Sequence, residues 1–374
     1  MKNYILLLGL ILFVSCDRQE SVLHNRVLDV AQMLKKEIEV PLSEFSDSID
    51  YVLLETNDSI LLHQNAYVFY ADNSDLFIRS KQSIFHFDSK GRFLNRIGKM
   101  GDGPHEYNVI YNVSVDDMNK RLFLYVGQKK IYVMNYDGQF LYELNLQVME
   151  DVTAAYLINE NRILAETRAY SNNGIKVALS LFNMQGECIK KDLVVFGDDL
   201  KTDLHMHTMS YMYACQNTVR YMSSFSNMLY GLQNEAVVDS MVFDFKNYQP
   251  DRSLIENMNK RNDLLRNYAS LVDIQENSNT MFLLVIFREE LRGMVVDKNT
   301  GITLFSSFID MPQRGGGVKN DYLYNCNFWP TYMNDNALYS LAPVELIKES
   351  LSVSDSFKRK IKDDDNPVLL KILL

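Results

Sequence analysis

The chain has 374 residues, of which 47% are hydrophobic, and its 22 Tyr and 20 Phe favour strands over helices. Its net charge of −10 at pH 7 argues against nucleic acid as a partner, because binding to phosphates requires clustered Lys and Arg. Three cysteines follow Cys16, and their odd number and spacing fit neither a disulfide framework nor a zinc site. Whether any two of Cys188, Cys215 and Cys326 pair stays open.

The N-terminus reads MKNYILLLGLILFVSC. Its apolar run, residues 4–14, is shorter than the roughly 20 residues that a membrane-spanning helix needs, but it suits the core of a signal peptide. The small Ser15 before Cys16 resembles the lipobox of bacterial lipoproteins, although Phe13 stands where Leu is usual. We therefore predict a signal peptide over residues 1–15 and a lipidated Cys16 with a tether over residues 16–45. This places the protein on the outer membrane, facing the periplasm or the cell surface.

The most regular part of the sequence covers residues 66–98 and 110–146, where one pattern of strands and turns is written twice. The two copies contain VFYADNSDLFIRSKQSIFHFDSKGRFLNRIG and VSVDDMNKRLFLYVGQKKIYVMNYDGQFLYELN. Each has four short segments separated by polar turns, which is typical of a β-propeller blade. One turn combines an acidic or amide residue with glycine, and this corner recurs as Asp88/Gly91, Asp137/Gly138 and Asn183/Gly186.

Weaker units over residues 155–195, 209–245, 271–301 and 326–374 bring the total to six. An amphipathic segment near residues 251–267 predicts one short helical insertion. Residues 27–34 fit either a helical turn or an edge strand.

Residues 48–56 are strand-like, so we expect this N-terminal strand to complete the last blade and close the ring, which removes an exposed sheet edge. The predicted fold is all-β: a six-bladed β-propeller of four-stranded antiparallel blades over residues 46–374.

Three motifs carry a family resemblance. They are the entry strand ending in Leu-Glu-Thr (residues 48–56), a Gly-x-Gly-Pro-x-Glu-Tyr loop (residues 101–107) and a closing Asn-Pro strand (residues 365–369). With them the chain resembles the six-bladed β-propeller lipoproteins of Gram-negative, gut-type bacteria, which are related in form to NHL-type propellers. The resemblance implies a fold and an extracytoplasmic location, but no reaction.

The glycine-rich loop is the first candidate for a ligand site. Gly101 and Gly103 allow close backbone approach, and Glu106 and Tyr107 could contact a ligand at the mouth of the central channel. The alternative is that the loop only turns the chain from one blade to the next. It is not a phosphate-binding P-loop, because the Lys-Ser/Thr ending and the following helix are missing.

A second set of candidates consists of charged and metal-ligating residues. Arg168, Arg220 and Arg288 lie in or beside predicted second strands, where they could bind carboxylate or sulfate groups if they face the channel. His205 and His207 would share one face of an extended segment and form half of a metal site. Surface arginines and a solvated loop are the simpler interpretations.

These features favour a binding module for a glycan, peptide or partner protein, attached to the membrane through its lipid alone. The alternative is a propeller enzyme (lactonase, lyase or glycoside hydrolase) with its site at the central channel. No catalytic residue is predicted, and the Gly-x-Ser-x-Gly motif of serine hydrolases is absent. No cofactor is predicted, although Ca²⁺ or Zn²⁺ at the channel stays open, as do the ligand, the membrane leaflet and the oligomeric state.

Overall fold

The computed structural model describes residues 24–36, 38, 40–172, 174–200, 210–223, 226–250, 266–309, 317–323 and 327–374. Within these ranges, six sheets that each contain four antiparallel strands follow one another along the chain, and one of them gains a fifth, parallel strand. This is the arrangement of a six-bladed β-propeller, and it confirms the predicted fold class.

The first half of the chain contributes two N-terminal strands and three blades. They are β1 (His24–Leu28) and β2 (Ser48–Val52); blade I with β3 (Tyr67–Ala71), β4 (Asp75–Ser80), β5 (Ser83–Asp88) and β6 (Phe93–Ile97); blade II with β7 (Asn112–Asp116), β8 (Arg121–Gly127), β9 (Lys130–Asn135) and β10 (Phe140–Asn145); and blade III with β11 (Asp151–Asn159), β12 (Arg162–Ser171), β13 (Gly174–Asn183) and β14 (Cys188–Leu200).

The second half contributes the other three blades and a small ribbon. They are blade IV with β15 (Tyr211–Cys215), β16 (Thr218–Met222), β17 (Met228–Gln233) and β18 (Ala236–Phe243); blade V with β19 (Ala269–Glu276), β20 (Thr280–Phe287), β21 (Glu290–Asp297) and β22 (Thr303–Ile309); the ribbon of β23 (Val318–Lys319) and β24 (Asn327–Phe328); and β25 (Tyr332–Met333), β26 (Ala337–Ala342) and β27 (Val368–Leu373) of blade VI.

Three short α-helices lie wholly within the described residues. Helix α1 (Val30–Met33) follows β1, and helices α2 (Val344–Glu349) and α3 (Asp355–Lys358) lie in the β26–β27 connection, where the sequence pattern predicted none. The predicted helical insertion near residues 251–267 lies outside the described residues except at its end, where Arg266 and Asn267 are helical.

The hydrophobic core is divided among the blades. The described residues form six buried clusters, and each lies between two neighbouring blades. Phe77 of blade I packs with Leu122 of blade II, for example, and Leu164 of blade III packs with Tyr221 of blade IV. A blade therefore buries its two faces only when both of its neighbours are present.

Ring closure follows the prediction. Strand β2 pairs antiparallel with β27, from Ser48 opposite Leu373 to Val52 opposite Leu369. The N-terminal strand thus supplies the fourth strand of blade VI, whose other three strands come from the end of the chain.

The two motifs at opposite ends of the sequence meet beside this closure. The buried Asn366 side chain donates hydrogen bonds to the carbonyl oxygens of Glu55 (2.9 Å) and Ile60 (2.6 Å) and accepts one from the Leu62 amide (2.8 Å). Its backbone N–H donates to the Thr56 hydroxyl at 2.9 Å. Asn366 therefore satisfies three buried or half-buried backbone groups that follow the entry strand.

Residues 24–36, 38 and 40–44, which fall in the segment that the sequence assigned to a tether, lie along the outer edges of blades IV to VI. Strand β1 pairs parallel with β18 and adds a fifth strand to blade IV, and Val30 and Met33 of α1 are buried against it. Ile38 then bridges to blade V, and Leu42 is buried in the cluster between blades V and VI. The segment for which the sequence allowed a helix or a strand contains both.

In blade II, the glycine corner begins at a different residue from the one that the sequence suggested. Gly91, Gly138 and Gly186 donate their N–H groups to the carbonyls of Asp88, Asn135 and Asn183, at 2.9, 3.0 and 3.0 Å. The first residue of the blade II corner is therefore Asn135 rather than Asp137. The three corners are then 47 and 48 positions apart, which is a more regular repeat than the one expected.

These glycines also bring neighbouring blades into contact. A Cβ atom on Gly91, Gly138 or Gly186 would lie 2.1, 2.2 or 2.0 Å from a carbonyl oxygen of the preceding blade's outer strand or its end (Leu53, Arg96 and Asn145). Gly301 has a similar left-handed φ of +68°, but a Cβ there would meet nothing within 4 Å. Close blade contact, in addition to the turn, requires glycine at the first three positions.

This difference predicts unequal effects of two matched substitutions. Gly138→Ala and Gly301→Ala should each lose about 1 kcal/mol because both impose a left-handed conformation on alanine. Gly138→Ala should lose a further 1 to 3 kcal/mol, roughly, because its methyl group overlaps the backbone of blade I. Urea unfolding of the two variants measures the difference, and equal midpoints would contradict the proposed contact.

Candidate functional site

A cavity of about 740 Å³ lies at the centre of the ring. Its walls come from the innermost strands of all six blades and from the turns that follow those strands. Aromatic rings form much of this lining: Tyr67, Phe69, Tyr70, Tyr156, Tyr213 and Tyr332. Amide side chains of Asn159, Gln216, Asn234 and Gln275 add polar groups. A concave site with apolar faces and a few polar groups is the usual form of a ligand-binding pocket.

The rim of the cavity is built by one repeated turn. In five blades the turn after the innermost strand begins with an Asp or Asn whose side-chain oxygen accepts backbone N–H groups two or three residues further on. These residues are Asp72, Asp116, Asn159, Asn277 and Asn334. Such bonds fix the turn locally, so the rim has a defined shape. The sequence carries a signal of this repeat, an Asp or Asn at each of these turns, but the repeat was not predicted from it.

The tyrosines of the cavity have defined hydrogen-bond roles. The Tyr70 hydroxyl donates to Asp72 at 3.1 Å, and its ring lies 5.9 Å from the ring of Tyr332 in the neighbouring blade. The Tyr156 hydroxyl accepts the Ala214 N–H at 3.2 Å, which leaves its own proton for another acceptor. Burial raises the pKa of Tyr156 to about 12, so the hydroxyl is a neutral donor at pH 7.

A buried charge cluster supports the cavity between blades IV and V. Glu276, at the end of β19, forms ion pairs with Arg220 (2.8 Å) and Lys298 (2.6 Å), and the Tyr213 hydroxyl donates to it at 2.9 Å. The Glu276 side chain is fully buried, so these partners compensate for its lost hydration. Burial by itself lowers the pKa of Arg220, but Glu276 and Asp239 outweigh it and raise the pKa, so the guanidinium stays charged.

Arg220 reaches its second carboxylate because the residue between them has no side chain. Arg220, Gly231 and Asp239 lie opposite one another on β16, β17 and β18, and the Arg220 Nη1–Asp239 Oδ1 distance is 2.5 Å. A Cβ on Gly231 would lie 1.9 Å from the Asp239 carboxylate and 2.4 Å from the guanidinium.

Blades III and IV share a second buried carboxylate. Glu166 is fully buried and pairs with Arg168 at 2.8 Å, while the hydroxyls of Thr153, Ser210 and Tyr221 donate to it. The predicted ligand-binding residues Arg168 and Arg220 thus lie on different blades and bind buried carboxylates of the protein itself. Arg288 is exposed in the β20–β21 turn, 4.9 Å above the ring of Phe287. The structure does not bring the three arginines together.

The glycine-rich loop connects blades I and II and contacts the β4–β5 turn, through Met100 and Ser83. The cavity rim is formed by turns at the opposite end of these hairpins.

Inside the loop, Glu106 accepts the Gly103 N–H at 2.9 Å and pairs with Lys99 at 2.5 Å, and the buried Tyr107 donates to the Ile97 carbonyl at 3.1 Å. A Cβ on Gly101 or Gly103 would lie within 3.0 Å of the Glu106 carboxylate. Internal contacts therefore account for Gly101, Gly103, Glu106 and Tyr107, and their ligand-binding role stays a prediction.

Several other predicted residues lie outside the described part of the chain: Cys16, His205, His207 and Cys326. Within the described part, Cys188 and Cys215 are free thiols. Cys215 lines the cavity, and burial followed by the nearby Glu276 carboxylate raises its pKa to about 11, so the thiol is protonated at pH 7. No group of three His, Cys, Asp or Glu side chains among the described residues is placed to hold a metal ion.

With its closed ring of blades and central cavity, the chain is a six-bladed β-propeller. A sequence profile for "Domain of unknown function (DUF4934)" matches residues 25–372. The chain belongs to this DUF4934 family. No curated protein matches it.

Two solved structures share the fold. A "Putative exported protein" from Bacteroides fragilis has 17% sequence identity and a TM-score of 0.66, with 94% of this chain and 99% of the other aligned. A member of the DUF4221 family from Bacteroides vulgatus has 8% identity and a TM-score of 0.55, with 88% and 97% aligned. At these identities the likeness concerns the fold. Of the described helices, none is long and apolar enough to cross a membrane.

The buried cluster predicts a large loss of stability on removal of one charge. Glu276→Gln should lower the free energy of unfolding by about 3 to 5 kcal/mol, because Lys298 and Arg220 would each lose a buried counter-charge. Glu290→Gln makes the same change at an exposed position and should stay within about 0.5 kcal/mol of the parent. Urea unfolding compares them, and similar midpoints would show that the cluster does not stabilise the ring.

Proposed function

We propose that this protein is an extracytoplasmic binding module whose ligand, an oligosaccharide, enters the central cavity. The observation that carries the proposal is the cavity itself, which is lined by all six blades and receives tyrosine rings or amide groups from five of them. Its volume of about 740 Å³ is in the range of small-molecule sites.

The chemistry of the lining favours a sugar over an extended apolar ligand. The apolar faces of pyranose rings pack against aromatic side chains, while their hydroxyls require donors and acceptors at fixed positions. Tyr67 offers a partly exposed ring, Asn234 and Gln216 offer exposed amides, and Tyr156 retains a donor proton. The bonded rim turns fix the shape of the opening before the ligand arrives, which limits the entropy lost on binding.

We further propose that the mature protein is held at the outer membrane by a lipid on Cys16. The FVSC sequence supports this, and only seven residues separate Cys16 from His24, the first residue of β1. Eight fully extended residue steps span at most about 28 Å, so the propeller would lie close to the membrane surface.

A matched pair of tyrosine variants tests the ligand site. The purified protein should bind at least one member of a panel of neutral oligosaccharides saturably in isothermal titration calorimetry. Tyr67→Ala should weaken that binding about tenfold or more, because it removes an aromatic face from the cavity. Tyr170→Ala removes a more exposed ring outside the cavity and should leave binding unchanged. Absence of saturable binding, or an equal loss in both variants, would contradict the proposal.

The lipid anchor has its own test. Cells that express the protein with an alkyne-labelled fatty acid should incorporate the label, and the protein should fractionate with membranes. Cys16→Ala should abolish both properties, whereas Cys188→Ala should keep them. A labelled Cys16→Ala protein would show that the anchor is elsewhere.

A further inference from the structure

The charges around the cavity are strongly one-sided. Its described lining contains five carboxylates and no Lys, Arg or His side chain: Asp116, Asp117, Glu160, Glu276 and Asp335. The carboxylates come from blades II, III, V and VI, so they surround the opening.

Cations behind the lining neutralise two of these five carboxylates, Asp116 and Glu276, and each of these cations is engaged with acidic groups of the protein itself. Lys120 lies between Asp75 (3.1 Å) and Asp72 (3.9 Å). Arg121 pairs with Asp116 at 2.6 Å. Arg220 and Lys298 share Glu276, and Arg220 also binds Asp239.

Three exposed carboxylates are left at the rim, Asp117, Glu160 and Asp335. No ion pair joins them to a cation among the described residues. The Asp335 carboxylate accepts bonds from the Ser278 hydroxyl (2.5 Å) and amide (2.8 Å), which lower its pKa and keep it ionised at neutral pH.

The tyrosines of the cavity, like the rim carboxylates, favour a cationic ligand. Aromatic faces attract cations through their quadrupole, and the open ring of Tyr67 is 38% exposed. Burial raises the pKa of Tyr70 most, followed by the neighbouring Tyr136 and then by the charges of Asp72 and Asp117. The negative potential of these two carboxylates therefore reaches the cavity wall.

We propose that the cavity selects saccharides that carry protonated amines, such as amino sugars, and rejects anionic saccharides. This inference rests on the proposed function and names the ligand class of the same site. Asp117 and Asp335 would attract the ammonium groups, and the tyrosine rings would hold the sugar faces. The arginines were expected to bind carboxylate or sulfate groups of a ligand, but Arg168 and Arg220 already bind Glu166 and Glu276. The proposed ligand therefore carries the opposite charge.

Three trisaccharides that differ in charge test the proposal by titration calorimetry of the purified protein. They are the trimers of glucosamine, N-acetylglucosamine and galacturonic acid. The glucosamine trimer should bind about tenfold or more tighter than the neutral trimer, and the acidic trimer should not bind. Raising NaCl from about 50 to about 300 mM should weaken binding of the glucosamine trimer alone, because salt screens exposed charges.

Matched variants locate the effect. Asp117→Asn and Asp335→Asn should each weaken binding of the glucosamine trimer about three- to tenfold and leave the neutral trimer unaffected. Asp58→Asn makes the same change at an exposed position between blades VI and I, outside the cavity lining, and should alter neither.

The outcomes separate the two proposals. Equal or tighter binding of the neutral or acidic trimer, or unchanged affinity in both rim variants, would overturn the charge preference and leave the oligosaccharide site standing. Tighter binding of tri-lysine than of the glucosamine trimer would overturn the assignment to amino sugars in favour of a basic peptide. Failure of every saccharide to bind would remove the proposed function and this inference together.

Discussion

Every blade of this propeller depends on its two neighbours to bury its faces. The described core consists of six clusters between blades, so a missing neighbour would expose a whole apolar sheet face to water. This makes closure of the ring the critical contact. Strand β2 supplies the last pairing, and Asn366 ties the closing strand to the segment that follows β2. The N-terminal segment extends this closure along three blades, from β1 on blade IV to Leu42 between blades V and VI.

The same geometry explains where polar groups are buried. Glu166 lies between blades III and IV and Glu276 between blades IV and V, and each is bonded to residues of both blades. A buried carboxylate is tolerated only where its partners are fixed. The innermost and second strands of neighbouring blades hold such partners in place. These bonds also hold the wall of the cavity, since Tyr213 is both a lining residue and a donor to Glu276.

A ring of six similar units creates a site that no single unit contains. Each blade contributes an innermost strand and the turn that follows it, bonded by an Asp or Asn side chain in five blades, and the cavity exists because the six turns face one axis. Function can therefore vary through a few rim side chains while the scaffold stays constant. Among the described residues, the rim carries three carboxylates that form no ion pair and the wall carries tyrosines, a combination suited to uncharged or cationic ligands rather than anions.

The sequence by itself determined the propeller of six blades and the four strands of the first two, because alternation and turn chemistry are local properties. The closing role of the N-terminal strand followed from the need of a ring to have no exposed sheet edge. It placed the blade II corner at Asp137 instead of Asn135, since both residues suit a turn and only the register of β9 distinguishes them. The three family motifs were visible, but the contact between Glu55 and Asn366 depends on 310 intervening residues folding into a ring. The candidate site was out of reach for the same reason. Arg220 and Glu276 look like surface charges in a linear sequence, and only the meeting of blades IV and V makes them a buried pair beside a cavity.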